Sequence, residues 1–251
     1  MSRAASGTSQ AQTPGDSTRL TPSAADRPPT SHEGSDHLNG SKVATLRQRH
    51  ADFTRLGTKL KHDRDDIVRG RREGAKIDAS GQVQLTTADE KRVVALTLEM
   101  VLAFMVGFKS LSQARQLERK PWDPVPWEQL QPHLQELKHR SRHARPLQSL
   151  ALQLNAVCLE ELCLAYANQD QALGSKAASS FIQMSRRRYD AWQAAHDILP
   201  TVKDEGMRVE LGPWTAPIEA AAAALRTLRR WVERENVDWR AEIVLPIANG
   251  A

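Results

Sequence analysis

Two blocks combine residue types and spacings that could do chemistry. The first, Lys138-His-Arg-Ser-Arg-His-Ala-Arg145, sets His139 and His143 at the i, i+4 spacing of helix-borne metal ligands. No carboxylate lies between them, and the neighbouring cations oppose a divalent ion, so no metal site is expected. Two readings remain for the run. Its cations could offset the negative end of a helix dipole just before Pro146, or Lys138, Arg140, Arg142 and Arg145 could contact phosphate. The first is preferred.

The second block, Arg186-Arg-Arg-Tyr-Asp-Ala-Trp192, mixes arginine with aromatics as a nucleic-acid grip would. Rotation by about 100° per residue places Phe181, Ile182, Ser185, Tyr189, Trp192, His196 and Leu199 in one sector of a helix. The same rotation splays the three arginines, with Arg187 outward and Arg188 at the edge of the stripe, so they form no single basic face. Stacking aromatics need solvent access. Tyr189 and Trp192 are therefore expected in the core, leaving Arg187 as an isolated candidate phosphate contact.

Cys158 and Cys163, five positions apart, turn to different faces of a helix and read as reduced thiols rather than a disulfide. The sequence carries no GxSxG, no GxxxxGK[ST], no Rossmann glycine fingerprint and no CxxC. No catalytic residue, metal or cofactor is expected, and the chain does not read as an enzyme.

The elements that must position these blocks follow from composition and period. The chain has 251 residues and a formal charge of +5. Its first 41 residues hold three Lys/Arg and four Asp/Glu, so residues 42–251 carry +6, a mild bias toward anionic partners. Residues 1–41 almost lack large apolar side chains and read as a disordered tail, its Thr13-Pro14 and Thr21-Pro22 as plain linker. Nothing there has the apolar core of a signal peptide. The most apolar run, Val93–Phe108, is sixteen residues long and contains Glu99. That falls short of the roughly 20 residues a bilayer needs, so a buried helix in a soluble protein is expected.

Helical period dominates residues 42–240. Val43, Leu46, Phe53, Leu60 and Ile67 mark one long helix from about Lys42 to Arg72. Thr87 and Glu90 match a capping box that opens an apolar second helix running through Phe104 and Phe108. Trp127 leads a short helix, and Pro146 opens another with Leu147, Leu150, Leu154 and Val157 on one face and Glu160 and Glu161 pointing away. A fifth helix spans roughly Ser175–Leu199.

In the last, Pro217 to about Asn236, Ile218, Ala221, Leu225, Leu228 and Val232 follow steps averaging 3.5 residues. That seam suits either the domain's own core or a second subunit. Arg226, Arg229, Arg230 and Arg234 take its other side, with Arg229 and Arg230 further candidates for nucleic acid. No stretch alternates long enough to name a strand. The expectation is an all-α fold of about six helices in antiparallel pairs, with residues 241–251 a C-terminal extension.

Several blocks in this order resemble the C-terminal homology domain of the AFF family, the scaffolds of the super elongation complex that supports RNA polymerase II. They are more similar still to its short fungal ELL-binding members. Leu60-Lys-His62 with Asp65 resembles the family's "LKH..AD", and Ala95–Gly107 its apolar second helix. Leu147–Asn168 resembles the family's LxALCYRCLALLY-type helix. Tyr189-Asp-Ala-Trp-Gln-Ala-Ala-His-Asp197 resembles "YDYWEMAD", and Leu225–Arg230 with Trp231 the closing "GLHWLR". The resemblance covers roughly residues 45–235 and rests on collinearity. It implies a TPR-like helical domain that dimerises, meets an ELL-type elongation factor, has links to nucleic acid and works in the nucleus. Unlike the larger family members, this sequence has only about 40 residues before the domain.

Overall fold

The structure, a computed structural model, describes residues 33–70, 76–77, 83–168 and 174–245. Among these residues it is all-α, as expected. Six α-helices succeed one another: α1 Glu33–Val68, α2 Thr87–Leu117, α3 Val125–Arg140, α4 Arg145–Ala167, α5 Gly174–Ile198 and α6 Pro217–Glu235. A two-residue antiparallel ribbon, Lys76–Ile77 with Val83–Gln84, bridges α1 and α2. The tail predicted for residues 1–41 lies outside the described residues up to 32. From Glu33 onward the chain is helical, so α1 starts nine residues earlier than its apolar period indicates.

Contacts along the chain give the pairing. Arg47 meets Glu118, His50 and Phe53 meet Gly107, and Gly57 meets Phe104, so α1 and α2 run antiparallel. Glycine at the last two positions lets the helices close. A Cβ at Gly57 would stand 2.7 Å from the Phe104 ring, and one at Gly107 3.3 Å from Phe53 Cβ. Phe108 meets Trp127 and Phe104 meets His133, which sets α3 antiparallel to α2. Gln131 donates to Cys158 Sγ, and the Tyr166 hydroxyl to Glu128, pairing α3 with α4. Cys163 approaches Ser185, and Trp192 reaches Glu160, pairing α4 with α5.

Helices α2 and α4 form the centre. Both are long and apolar enough to cross a membrane by composition alone, but 89% and 72% of their most apolar windows are buried inside the fold. The packing of other helices on every side accounts for that apolarity. Leu60, Phe108, Trp127 and Leu154 lie in this core, with Phe53 and Phe104 packed half-buried at its edge. The cap of α2 is one residue earlier than expected. Asp89 N–H donates to Thr86 Oγ1 at 3.1 Å and Thr86 N–H to Asp89 Oδ2 at 3.4 Å. With threonine at both 86 and 87, the start is decided by which one has an acid three residues on that reaches back, and Asp89 does.

Beyond α6 the chain turns at Asn236, which is left-handed at φ 49°, and runs back over α2 as an extended strap. Val237, Trp239, Ala241, Ile243 and Leu245 pack against the core. Their neighbours Asp238, Arg240, Glu242 and Val244 face outward. The anchor is Glu99, 0% exposed in the middle of α2. Its Oε1 accepts the backbone N–H groups of Glu242 at 2.5 Å and Ile243 at 2.8 Å, and its Oε2 accepts Trp239 Nε1 at 2.9 Å. Lys59–Glu242 and Arg92–Asp238 pin the strap from either side. Residues 241–245 are thus part of the packed domain, not an extension from it.

Candidate functional site

Three of the surfaces singled out in the sequence change meaning in the fold. The α6 seam is occupied internally. Ala221, Leu225, Leu228 and Val232 are at most 8% exposed, and Ile218 is half-buried against the same cluster, where α6 lies on α2 and α4. Of the two readings open for that seam, packing within the domain is the one realised.

Helix α5 lies rotated from its predicted orientation. Among its described residues Met184, Ala191 and Ala195 are buried, as is Leu199 just after it, with Trp192 half-buried beside them. Tyr189, expected in the core, is 71% exposed, and Ile182 is 54% exposed. Phe181 and Leu164 add apolar surface at 37% and 43%. Two alanines thus lie on the buried face of α5, while Phe181, Ile182 and Tyr189 stay outside. Trp192 keeps one polar tie, its Nε1 donating to Glu160 Oε1 at 2.8 Å, while Arg188 takes the other oxygen at 3.2 Å.

Glu160 therefore points into the α4–α5 contact rather than away. Glu161, also expected outside, is 4% exposed and pairs with Lys109 of α2 at 2.7 Å. Burial pushes the Glu161 carboxyl up despite that lysine, and its Oε2 is buried without a hydrogen-bond partner among the described residues. Lys109 also sits 5.1 Å from the Trp122 ring centroid. The Cys158 thiol is pushed up to about 12 by burial, which leaves it inert as a nucleophile.

The candidate phosphate contacts are unequal. Arg140 is engaged by Glu136 at 2.8 Å, a carboxylate it shares with buried Arg64. Arg187, expected to point freely outward, donates to Gln131 Oε1 at 3.4 Å across α3, and Arg230 donates to the Gly206 carbonyl. Lys138, Arg142, Arg145 and Arg229 are exposed, with no carboxylate partner among the described residues. Arg142 Nε donates instead to His143 Nε2 at 2.9 Å, and Arg145 to Gln148 Oε1 at 2.8 Å.

What brings part of this set together is a half-open cleft of about 430 Å³. The first turns of α2, the Ser141–His143 turn joining α3 to α4, and the last turns of α6 enclose it. Val94, Met207 and Trp231 make an apolar floor, and Lys91, Arg140, Arg145 and Arg234 stand around the lip with Glu90 and Glu235. Lys91 and Arg234 are absent from the sequence-predicted set. They come from helices far apart in sequence, and no local spacing joins them to Arg145.

The chain matches no protein-family model, no curated protein and no solved structure. Among the described residues, fold and surfaces define its class: an all-α domain of antiparallel helix pairs that carries exposed apolar side chains on α5 and a cation-lipped cleft.

Proposed function

We propose that the chain is a non-catalytic helical scaffold module of a nuclear RNA polymerase II elongation complex, one that self-associates and binds an ELL-type elongation factor. The observation that carries the reading is the outer face of α5. Tyr189 at 71% exposure, Ile182 at 54% and Phe181 at 37% leave apolar side chains uncovered on a helix whose inner side is already packed, and Leu164 of α4 adds another. Exposed apolar area is what a protein–protein contact consumes. It also lies in the stretch around Tyr189–Trp192 that best resembles the family. Light scattering after size exclusion, on the full chain and on Tyr189→Glu with Ile182→Glu, tests self-association, and a pull-down with an ELL-type factor tests the partner. A strict monomer that ignores that factor would refute the proposal.

A second reading, nucleic-acid binding, is favoured by one feature. Tyr189 is accessible for stacking and lies near exposed Arg186 on the helix surface, while among the described residues Lys138, Arg142 and Arg145 have no carboxylate partner. It predicts affinity that falls steeply with salt, with a slope flattened by neutralising Arg142 and Arg145. Salt-insensitive binding, or none, would remove it.

A further inference from the structure

We propose that the cleft between α2, the α3–α4 corner and α6 docks a linear segment of a partner protein in which carboxylates flank an aliphatic side chain. The inference stands independently of the elongation-complex reading, because it defines the partner by chemistry alone. The cleft combines depth and charge in one place. Its floor of Val94, Met207 and Trp231 is 5–6% exposed, apolar and set by three separate elements. An aliphatic side chain seated there removes apolar surface from water on both partners.

The lip carries four cations, Lys91, Arg140, Arg145 and Arg234, against two carboxylates, Glu90 and Glu235. Three of those cations are already held, Lys91 by Glu235, Arg140 by Glu136 and Arg234 by Asp204. Among the described residues Arg145 is bonded only to an amide oxygen, and Arg142, in the adjoining turn just outside the cleft lining, to the His143 ring. The first turn of α4, which has no side-chain cap, adds its positive dipole end at Arg145. One or two carboxylates therefore complete the lip, where a long polyanion would meet Glu90 and Glu235.

The aromatic on the floor, Trp231, is 5% exposed and offers no face for a nucleobase. Residues 1–32 contain one large aliphatic residue besides Met1, Leu20, with no acid beside it, and residues 246–251 contain no Asp or Glu, so neither segment carries the pattern the cleft asks for.

The test is fluorescence anisotropy on the full chain with three probes: a short labelled peptide alternating glutamate and leucine, the same peptide with serine for leucine, and an oligothymidylate. The first should bind saturably and the second not, and oligothymidylate should not displace the first. Arg145→Glu should weaken peptide binding by roughly tenfold or more and Arg142→Glu, just outside the lining, by a smaller factor, while Arg240→Glu on the strap leaves it unchanged. Both arginines are exposed, and the acid at residue 145 suits a helix start, so neither variant threatens folding. Absence of binding by the first probe, equal binding of the serine peptide, indifference to both reversals, or full displacement by oligothymidylate would each overturn the proposal, the last in favour of nucleic acid.

Discussion

Glu99 offers the most exacting test of how this domain is held together. It is a carboxylate in the most apolar helix, 0% exposed, and all three of its hydrogen-bond donors come from the strap after α6. Glu99→Gln keeps an oxygen for the two backbone N–H groups but presents an amide N–H₂ to the indole N–H of Trp239. Two donors then face each other in a dry site. One charge-assisted hydrogen bond is lost and buried donors are left unpaired, a cost of about 1.5–3 kcal/mol. For a domain near 200 residues that lowers Tm by roughly 3–10 °C. Trp239→Phe removes the other partner and should cost about 1–3 kcal/mol by itself. Phenylalanine also removes the opposing donor, so the double variant should be less destabilised than the two singles added, by about 1 kcal/mol. Urea unfolding followed at 222 nm gives all four stabilities, and amide exchange at Ile243 reports the strap directly. Additive losses, or a Glu99→Gln variant as stable as the parent with Ile243 still protected, would refute the role assigned to this carboxylate.

Three further outcomes follow from side chains whose environments are equally defined. Leu225→Glu places an unpaired charge where the parent residue is 4% exposed, so it should abolish cooperative folding and helicity rather than yield a folded monomer, as circular dichroism would record. Glu161 has its folded pKa raised by burial, so its contribution to stability is fully present below the ordinary carboxyl value and is lost as pH rises through the folded one. Glu161→Gln should accordingly remove part of a downward slope of unfolding free energy above about pH 4.5, measured by urea titration at several pH values. Tyr189→Ala should change stability by no more than about 0.5 kcal/mol, whereas Trp192→Phe, losing its bond to Glu160, should cost about 1–2 kcal/mol; equal effects would contradict the orientation of α5.

The sequence made the helices legible because their apolar residues recur with the helical period. Val93–Phe108, the face beginning at Leu147 and the seam of α6 all lie where that period puts them. What period could not supply is which face wins when two compete. On α5 the aromatic stripe and the buried stripe of Met184, Ala191 and Ala195 lie roughly 110° apart. Weighting by side-chain size selects the first, and the fold buries the second. Arg188 at the boundary could point to either outcome until Glu160 is seen beneath it. The cleft was invisible for a different reason, since Lys91, Arg145 and Arg234 meet only through the tertiary fold.

The strap had a signal of its own. An acid in the middle of an apolar helix must find donors when the helix is buried, because an unpaired carboxylate there is too costly to keep ionised. Downstream, Val237, Trp239, Ala241, Ile243 and Leu245 alternate with polar or exposed neighbours, the pattern of an extended segment with one face covered. Each feature alone is weak, because the run is short and has no second strand to pair with. Together they specify each other: the helix lacks donors and the segment lacks an acceptor. Once the strap closes over α2, and α6 is committed to α2 and α4, the internal apolar stripes are used up. Association with another protein can then use surfaces that remain open, among them the outer face of α5 and the cation-lipped cleft. Because different elements build them, a substitution at Tyr189 and one at Arg145 should separate their partners cleanly.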